Sequence, residues 1–312
     1  MAATLNPQEI FLPERYSSLA YFEPQRDDFA ALVKTTELAL AEFMANLPPD
    51  YRAQPLWMQP DIVWGQRVLP NFRARRDGLN QAFIKLSHGD FNVLGSGHAV
   101  GNDFIAIMRD YPIDWMAEAR QLEWEHLLRE AWCRASNIDH TEHATWLAGA
   151  LTWDYDRERT PLDPPASWPV YRVNDSVKVK IGEWIQHSGV YLPDTDGACA
   201  QFLIKGRVAH KAAVPVPYDD PALAGQFDRR SENATWTLVE RVADSGGGTP
   251  GATDPIAAGI RLRCEAGHPC PQAGWWFTPA SADSRRHFQH GQVMPDSHSS
   301  YGATIWQWDE RQ

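Results

Sequence analysis

The chain has 312 residues, 43% hydrophobic and 11% aromatic, which suits a packed core of about two domains and excludes a disordered chain. Lys and Arg number 29 against 40 Asp and Glu, a net charge of −11. That balance argues against a nucleic-acid partner, because phosphate binding draws on clustered cations.

Residues 1–10 lack both the basic stretch and the apolar run of a secretory signal. No window reaches the roughly 18 apolar residues of a membrane span, so a cytoplasmic protein with no membrane partner is expected. Cys133, Cys199, Cys264 and Cys270 are too sparse for a disulfide framework and read as reduced thiols. His268 lies between the last two, but the spacing has no CxxC and no evident fourth ligand, so ordinary turn cysteines are the better reading.

Apolar residues recur at helical spacing over 27–47, through Phe29, Leu32, Val33, Leu40, Phe43, Met44 and Leu47. Asp27 and Asp28 suit its start and Pro48-Pro49 its end. A second helix is predicted over 72–86 and a third over 100–108, after a break at Gly95-Ser96-Gly97. The clearest stripe, Trp124, Leu127, Leu128, Ala131, Trp132 and Ala135, predicts a helix over 113–135 with Pro112 in its first turn. Asp139-His140-Thr141-Glu142 has the pattern of a capping box opening a fifth helix to Tyr155. Residues 1–160 thus read as a helical bundle carrying 23 acids against 15 bases.

Pro161, Pro164, Pro165 and Pro169 then form a linker. Beyond it, short runs alternate with a period of two, as in Ser176–Ile181, Gly189–Leu192 and Ala234–Val239. The chain also resembles itself here. Gly182 and Gly267 lie 85 apart, as do Ser188-Gly189 and Ala273-Gly274; Phe202 and Phe288 correspond, then Gly206 and Gly291. Val190-Tyr191-Leu192-Pro193 matches Trp275-Trp276-Phe277-Thr278-Pro279, and the closing strands contain Trp236 and Trp306. The expected fold is α+β, with a helical bundle over 1–160 and two related small β units over 170–243 and 256–312. The first unit carries about sixteen extra residues before its last strand, and the glycine-rich run 245–251 links the two.

Catalytic patterns are weak. His140 and His143 stand three apart, whereas the zinc-protease helix needs four, so a capping box with two partly exposed histidines is favoured over a metal site. Ser96 beside His98 lacks the surrounding nucleophile turn, and Gly246-Gly247-Gly248 lacks the lysine of a phosphate loop. No cofactor, metal or catalytic residue is expected. Asp154, Asp156 and Glu158 form an acid-rich segment, a solvated face that also suits a basic partner. Most of Trp275, Trp276, Phe277, Trp306 and Trp308 belong to a core by default, although exposed Trp and Arg are typical interface anchors and Arg285-Arg286 follows closely.

The run Cys270–Pro279, then Ser284–Phe288, Gly291–Pro295 and Gly302–Trp308, resembles the C-terminal region of bacterial immunity proteins from polymorphic-toxin and type VI secretion loci, the immunity protein 71 and 72 class. The resemblance is specific over about 264–309, and the helical half is similar in texture alone. It implies a non-enzymatic cytoplasmic antidote that binds and occludes a cognate toxin domain. It also implies a toxin that acts in the cytosol on nucleic acid or a nucleotide; nucleic-acid-targeting toxins are often basic, and an acidic antidote would gain association rate from that complementarity. Asp154, Asp156, Glu158, Trp276, Arg285 and Arg286 are the candidate contacts. Two other readings stay open: a peptide- or glycan-binding or secretion-adaptor module, and a hydrolase using His140, His143 or Cys264 between the halves.

Overall fold

The structure is a computed structural model that describes residues 5–157, 160–165, 167–218, 227–242, 263–278, 284–296 and 304–309. Glu158 and the glycine-rich run 245–251 lie outside the described residues. Helices occupy the N-terminal part and strands the C-terminal part, an α+β architecture. Packing divides the chain into two units, Met1–Leu162 with Trp168–Ser245, and Asp163–Ser167 with Gly246–Gln312.

The first unit opens with α1 (Pro7–Tyr16), whose start is fixed by Asn6: its side-chain oxygen accepts from the backbone N–H groups of Gln8 and Glu9. Ser18 caps α2 (Leu19–Ala45) in the same way, accepting from Tyr21 N–H. The bundle continues with a π-helical stretch (Asp61–Val68) running into α3 (Leu69–Ser87), then α4 (Leu94–Asp110) and α5 (Glu118–Glu142). Trp64 and Trp124 meet edge to face at 5.7 Å in the core, and the Trp124 ring nitrogen donates to Thr36 Oγ1 at 2.9 Å.

Several helix boundaries differ from the sequence expectation. Asp27 and Asp28 do not start a helix but sit inside α2, where Asp28 accepts from Arg134 of α5. The Gly95-Ser96-Gly97 run does not break the chain; it lies inside α4. A methyl group on Gly97 would come within 2.9 Å of the Phe22 ring and 3.0 Å of Gln25 Oε1, so the missing side chain lets α4 lie close against α2. Gln25 Nε2 donates to the Gly97 carbonyl at 2.7 Å across that contact. Residues 139–142 do not cap a new helix but end α5, because buried Asn137 and Thr141 carry the helix through: Thr141 Oγ1 donates back to the Asn137 carbonyl, and Asn137 Nδ2 donates to the Tyr21 hydroxyl. Residues 143–157 form turns, with left-handed backbone at Ala144 and Gly149.

The strands of the first unit are β1 (Tyr171–Lys180), β2 (Gly189–Pro193), β3 (Gln201–Leu203), β4 (Ala212–Pro217), β5 (Phe227–Glu232) and β6 (Thr235–Arg241). They form an antiparallel sheet in the order β1-β6-β2-β3 and a separate β4–β5 hairpin. Tyr171, Val190, Phe202, Ile204 and Val239 join Phe22, Leu32, Trp124 and Ile138 in one core, so the helical segment and the first β unit fold as one body.

The second unit contains β7 (Arg263–Glu265), β8 (Gly274–Phe277), β9 (Arg286–Phe288) and β10 (Ile305–Trp308), in the order β7-β10-β8-β9. This repeats the first sheet residue for residue. Val179 opposes Trp236 as Cys264 opposes Trp306, and Tyr191 opposes Leu238 as Trp276 opposes Trp308. The Trp184–Val208 bridge recurs as Pro269–Val293. Gly182 and Gly267 are both left-handed, at φ +84° and +86°, and their N–H groups donate to the carbonyls of Ala209 and Met294. One expected match shifts by a residue: Gly189 pairs with Leu203 and Gly274 with Phe288, so Phe288 corresponds to Leu203 and His287 to Phe202. Val179 and Cys264 are 85 apart and Trp236 and Trp306 are 70 apart, so the first unit carries 15 extra residues, in the region of the β4–β5 hairpin.

Among the described residues, no helix is long and apolar enough to cross a membrane.

Candidate functional site

The acidic segment expected at 154–158 sits in the turns after α5. Leu151, three residues before it, is buried, Gln8 Nε2 donates to the Leu151 carbonyl at 2.7 Å, and the Tyr155 and Tyr16 hydroxyls share a hydrogen bond at 2.9 Å. The turn closes on Gly149, whose carbonyl accepts from the N–H groups of Thr152 at 2.8 Å and Asp154 at 3.1 Å. Gly149 has φ +96°, and a methyl group there would fall 2.5 Å from the Trp153 ring. The indole therefore lies on the backbone of Gly149, yet Trp153 is 76% exposed. Asp154 and Asp156 are exposed beside it. The result is an exposed aromatic plate on a hydrogen-bonded turn, with two exposed acids within the next three residues.

The other candidate contacts belong to the second unit, and one of them fails as a surface residue. Trp276 is fully buried, with its ring nitrogen donating to the Gln272 carbonyl at 3.1 Å and its ring edge-to-face with Trp308 at 5.4 Å. It occupies the core position of Tyr191, so it cannot anchor a partner without unfolding the sheet. Arg285 is partly committed as well: its guanidinium bonds the buried Asp309 carboxylate at 2.5 Å and lies 4.3 Å from the Trp275 ring centre. Arg286 opposes Trp276 across the β8–β9 ladder and is exposed. Asp154 and Asp156 thus fall in one unit, and Arg285 and Arg286 in the other.

Cys264 and Cys270 occupy the core positions of Val179 and Ile185, which accounts for both as apolar fill. Burial raises the Cys264 thiol pKa, with Cys270 and Glu265 adding to it, the reverse of what a nucleophile needs.

His140 and His143 point to different neighbours. His140 bonds the Thr145 hydroxyl at 3.0 Å and lies 4.9 Å from the Trp146 ring centre. His143 donates through Nδ1 to Asp139 at 2.9 Å, one helical turn back. Beside it stands His98 of α4, whose Nδ1 donates to Glu142 Oε2 at 2.8 Å. The other Glu142 oxygen accepts from Arg207 Nη2 at 2.8 Å. A methyl group on Gly95 would approach that oxygen at 3.2 Å, so the glycine leaves room for the carboxylate. Ser96, one of the two residues weighed for nucleophilic chemistry, lines a separate hollow of about 430 Å³ with Asn71, Arg75 and Gly78.

Sequence reasoning missed Trp153 as an anchor and His98 as a partner of Glu142 and His143. The signal for the first was a glycine four residues before an aromatic. Nothing local signalled the second, because His98 and Glu142 lie 44 residues apart.

No family model matches the chain and no curated protein matches it, so the resemblance of 264–309 to immunity proteins rests on the residues that carry it.

Proposed function

We propose that this chain is a cytoplasmic immunity protein that neutralises a cognate secreted toxin by occlusion, without turnover. The observation that carries the reading is the Trp153 turn: a large flat ring set against Gly149 and exposed, followed in the chain by exposed Asp154 and Asp156. A rigid aromatic contributes contact area at little entropic cost on binding, and hot spots of tight complexes are enriched in such residues. The surrounding acids fit a basic partner, in line with the charge of −11. Occlusion also accords with the second unit, where Cys264, Cys270, Trp276, Trp306 and Trp308 serve the core.

The test is co-expression of the intact chain with the toxin encoded beside it. Rescued growth and a complex that survives purification are expected. Failure of the intact, folded protein to restore growth rejects the proposal.

A second reading has its own observation. A surface hollow of about 520 Å³ is lined by Lys178, Glu183, Trp184, Gln186, His187 and Tyr191, with Trp184 largely exposed. An indole with polar groups around it also suits a peptide or glycan. Glycan or peptide capture abolished by Trp184→Ala, with no toxin partner found, would favour that module.

A further inference from the structure

The cluster at the end of α5 is more than a chance meeting of polar groups. Glu142 is only 7% exposed at its side chain and lies in the last turn of a 25-residue helix, with Asp139 just beyond hydrogen-bond reach of His98, at 3.7 Å. The carbonyl end of a helix is its negative end, where carboxylates are disfavoured and cations favoured. Two acids placed there call for positive charge. Arg207 supplies one on the Oε1 side of Glu142, leaving Oε2 turned toward the imidazoles.

We propose that His98, Glu142 and His143 form a binding site for a divalent transition-metal ion of the zinc class, with Asp139 as the positioning carboxylate for His143. One nitrogen from each imidazole and one Glu142 oxygen lie within 4.8 Å of one another. Bonds of about 2.0–2.2 Å in a tetrahedral centre put ligand atoms roughly 3.3–3.6 Å apart. His98 Nδ1 and Glu142 Oε2, hydrogen-bonded at 2.8 Å, part by about 0.5 Å to admit the ion, and half-exposed His143 swings in on its Asp139 contact to close the third side. Two imidazoles with a carboxylate are a donor set for zinc, copper or nickel rather than calcium. The Asp139–His143 hydrogen bond is the type of outer contact that fixes the tautomer and aim of a metal-binding histidine. On binding, His98 moves its proton from Nδ1 to Nε2 and offers the freed lone pair, so no oxidant or co-reactant is needed. The ion ties α4 to the end of α5, at the root of the turns that carry Trp153.

The test is titration of the full chain with zinc sulfate by calorimetry, and with cobalt(II) chloride by visible absorption, after dialysis against chelator. One equivalent at micromolar affinity or tighter and a tetrahedral cobalt spectrum are expected. His143→Ala should weaken binding at least about tenfold and His98→Ala should abolish it, while His140→Ala, whose ring faces Thr145 and Trp146, should leave it unchanged. Circular dichroism of each metal-free variant checks that the fold persists. His143 is half exposed, so its removal leaves the core intact and keeps the test readable even if Glu142 variants misfold. Absence of binding by the parent chain overturns the proposal, as does binding that both His98→Ala and His143→Ala leave intact.

Discussion

Trp236 and Trp306 hold the same position in two copies of one β unit. Each is buried, each opposes its copy's first strand at Val179 or Cys264, and each ring nitrogen donates to a backbone carbonyl, of His210 at 2.9 Å and Pro295 at 2.7 Å. The carbonyls themselves lie 85 residues apart, so even the indole's polar partner is duplicated.

The two rings should differ in what they support. Trp306 belongs to a cluster of seven buried side chains, among the described residues, whereas Trp236 lies in a unit that also has the helical core. Trp306→Ala should cost the second unit about 3–5 kcal/mol, the usual loss for a buried ring, and unfold it ahead of the first unit. Urea denaturation followed by tryptophan fluorescence and far-ultraviolet circular dichroism reads this as a separated first transition. A single unshifted transition would show that Trp306 carries little of the packing.

At the Trp153 turn, truncation and charge should separate. On the proposed function, Trp153→Ala weakens binding of the toxin partner at least tenfold through a faster off-rate, about 1.4 kcal/mol or more, with the melting temperature nearly unchanged. Asp154→Lys with Asp156→Lys should instead slow association and reduce its dependence on salt. Surface plasmon resonance at two ionic strengths distinguishes the two effects. Equal on-rates for parent and charge-reversed chains at low salt would remove these acids from the encounter.

Two helix glycines give opposite signs. Gly78 lies inside α3 with open space where a methyl group would go, so Gly78→Ala should stabilise by about 0.5–1 kcal/mol through helix propensity. Gly97 faces Phe22, Gln25 and Ile138 at 2.9–3.2 Å, and Gly97→Ala should destabilise by about 1–3 kcal/mol as α4 is pushed off α2. Thermal melts of the pair check this, and a stabilised Gly97→Ala chain would mean that the helices separate more easily than their contacts imply.

Glu9 gives a pH signature. Desolvation by burial raises its pKa, although the Ala200 N–H donates to the carboxylate at 2.9 Å and pulls the other way. An acid with a raised folded-state pKa holds its proton more tightly in the fold than in the open chain. Its contribution is therefore fully present below the ordinary glutamate range and is lost as pH rises through the folded value. Glu9→Gln keeps an acceptor for Ala200 and removes the buried charge. Its melting temperature should exceed the parent's at pH 7, with the difference shrinking toward pH 4; a constant difference would assign the effect to packing.

The fold was legible where periodicity alone decides it. The stripe Trp124–Leu128–Ala131–Ala135 marks α5, and the repeat at 85 residues marks the duplicated sheet, because both patterns are local or self-referential. Boundaries were less so. Gly95 and Gly97 look like a break until their close contact with Phe22, Gln25 and Glu142 is seen, and tertiary packing then outweighs propensity. Asp139 and Glu142 have the spacing of a cap, yet Asn137 and Thr141 satisfy the helix through that point with buried hydrogen bonds. Trp276 could not be sorted into core or surface from alternation, since either face of a lone strand reads the same until β10 is laid beside it. The meeting of His98 with Glu142 depends on how α4 packs on α5, which no local pattern encodes.

The shared register of the two sheets shows how one backbone pattern takes two different interiors. Tyr191, Leu203, Ala209 and Leu238 in one copy stand against the bulkier Trp276, Phe288, Met294 and Trp308 in the other, while Val179 and Ile185 stand against the smaller Cys264 and Cys270. One sheet thus accepts two interiors, in which four larger side chains are set against two smaller ones. Transplanting the four bulky residues into the first copy should therefore be poorly tolerated, and the reverse graft should leave the second copy hollow.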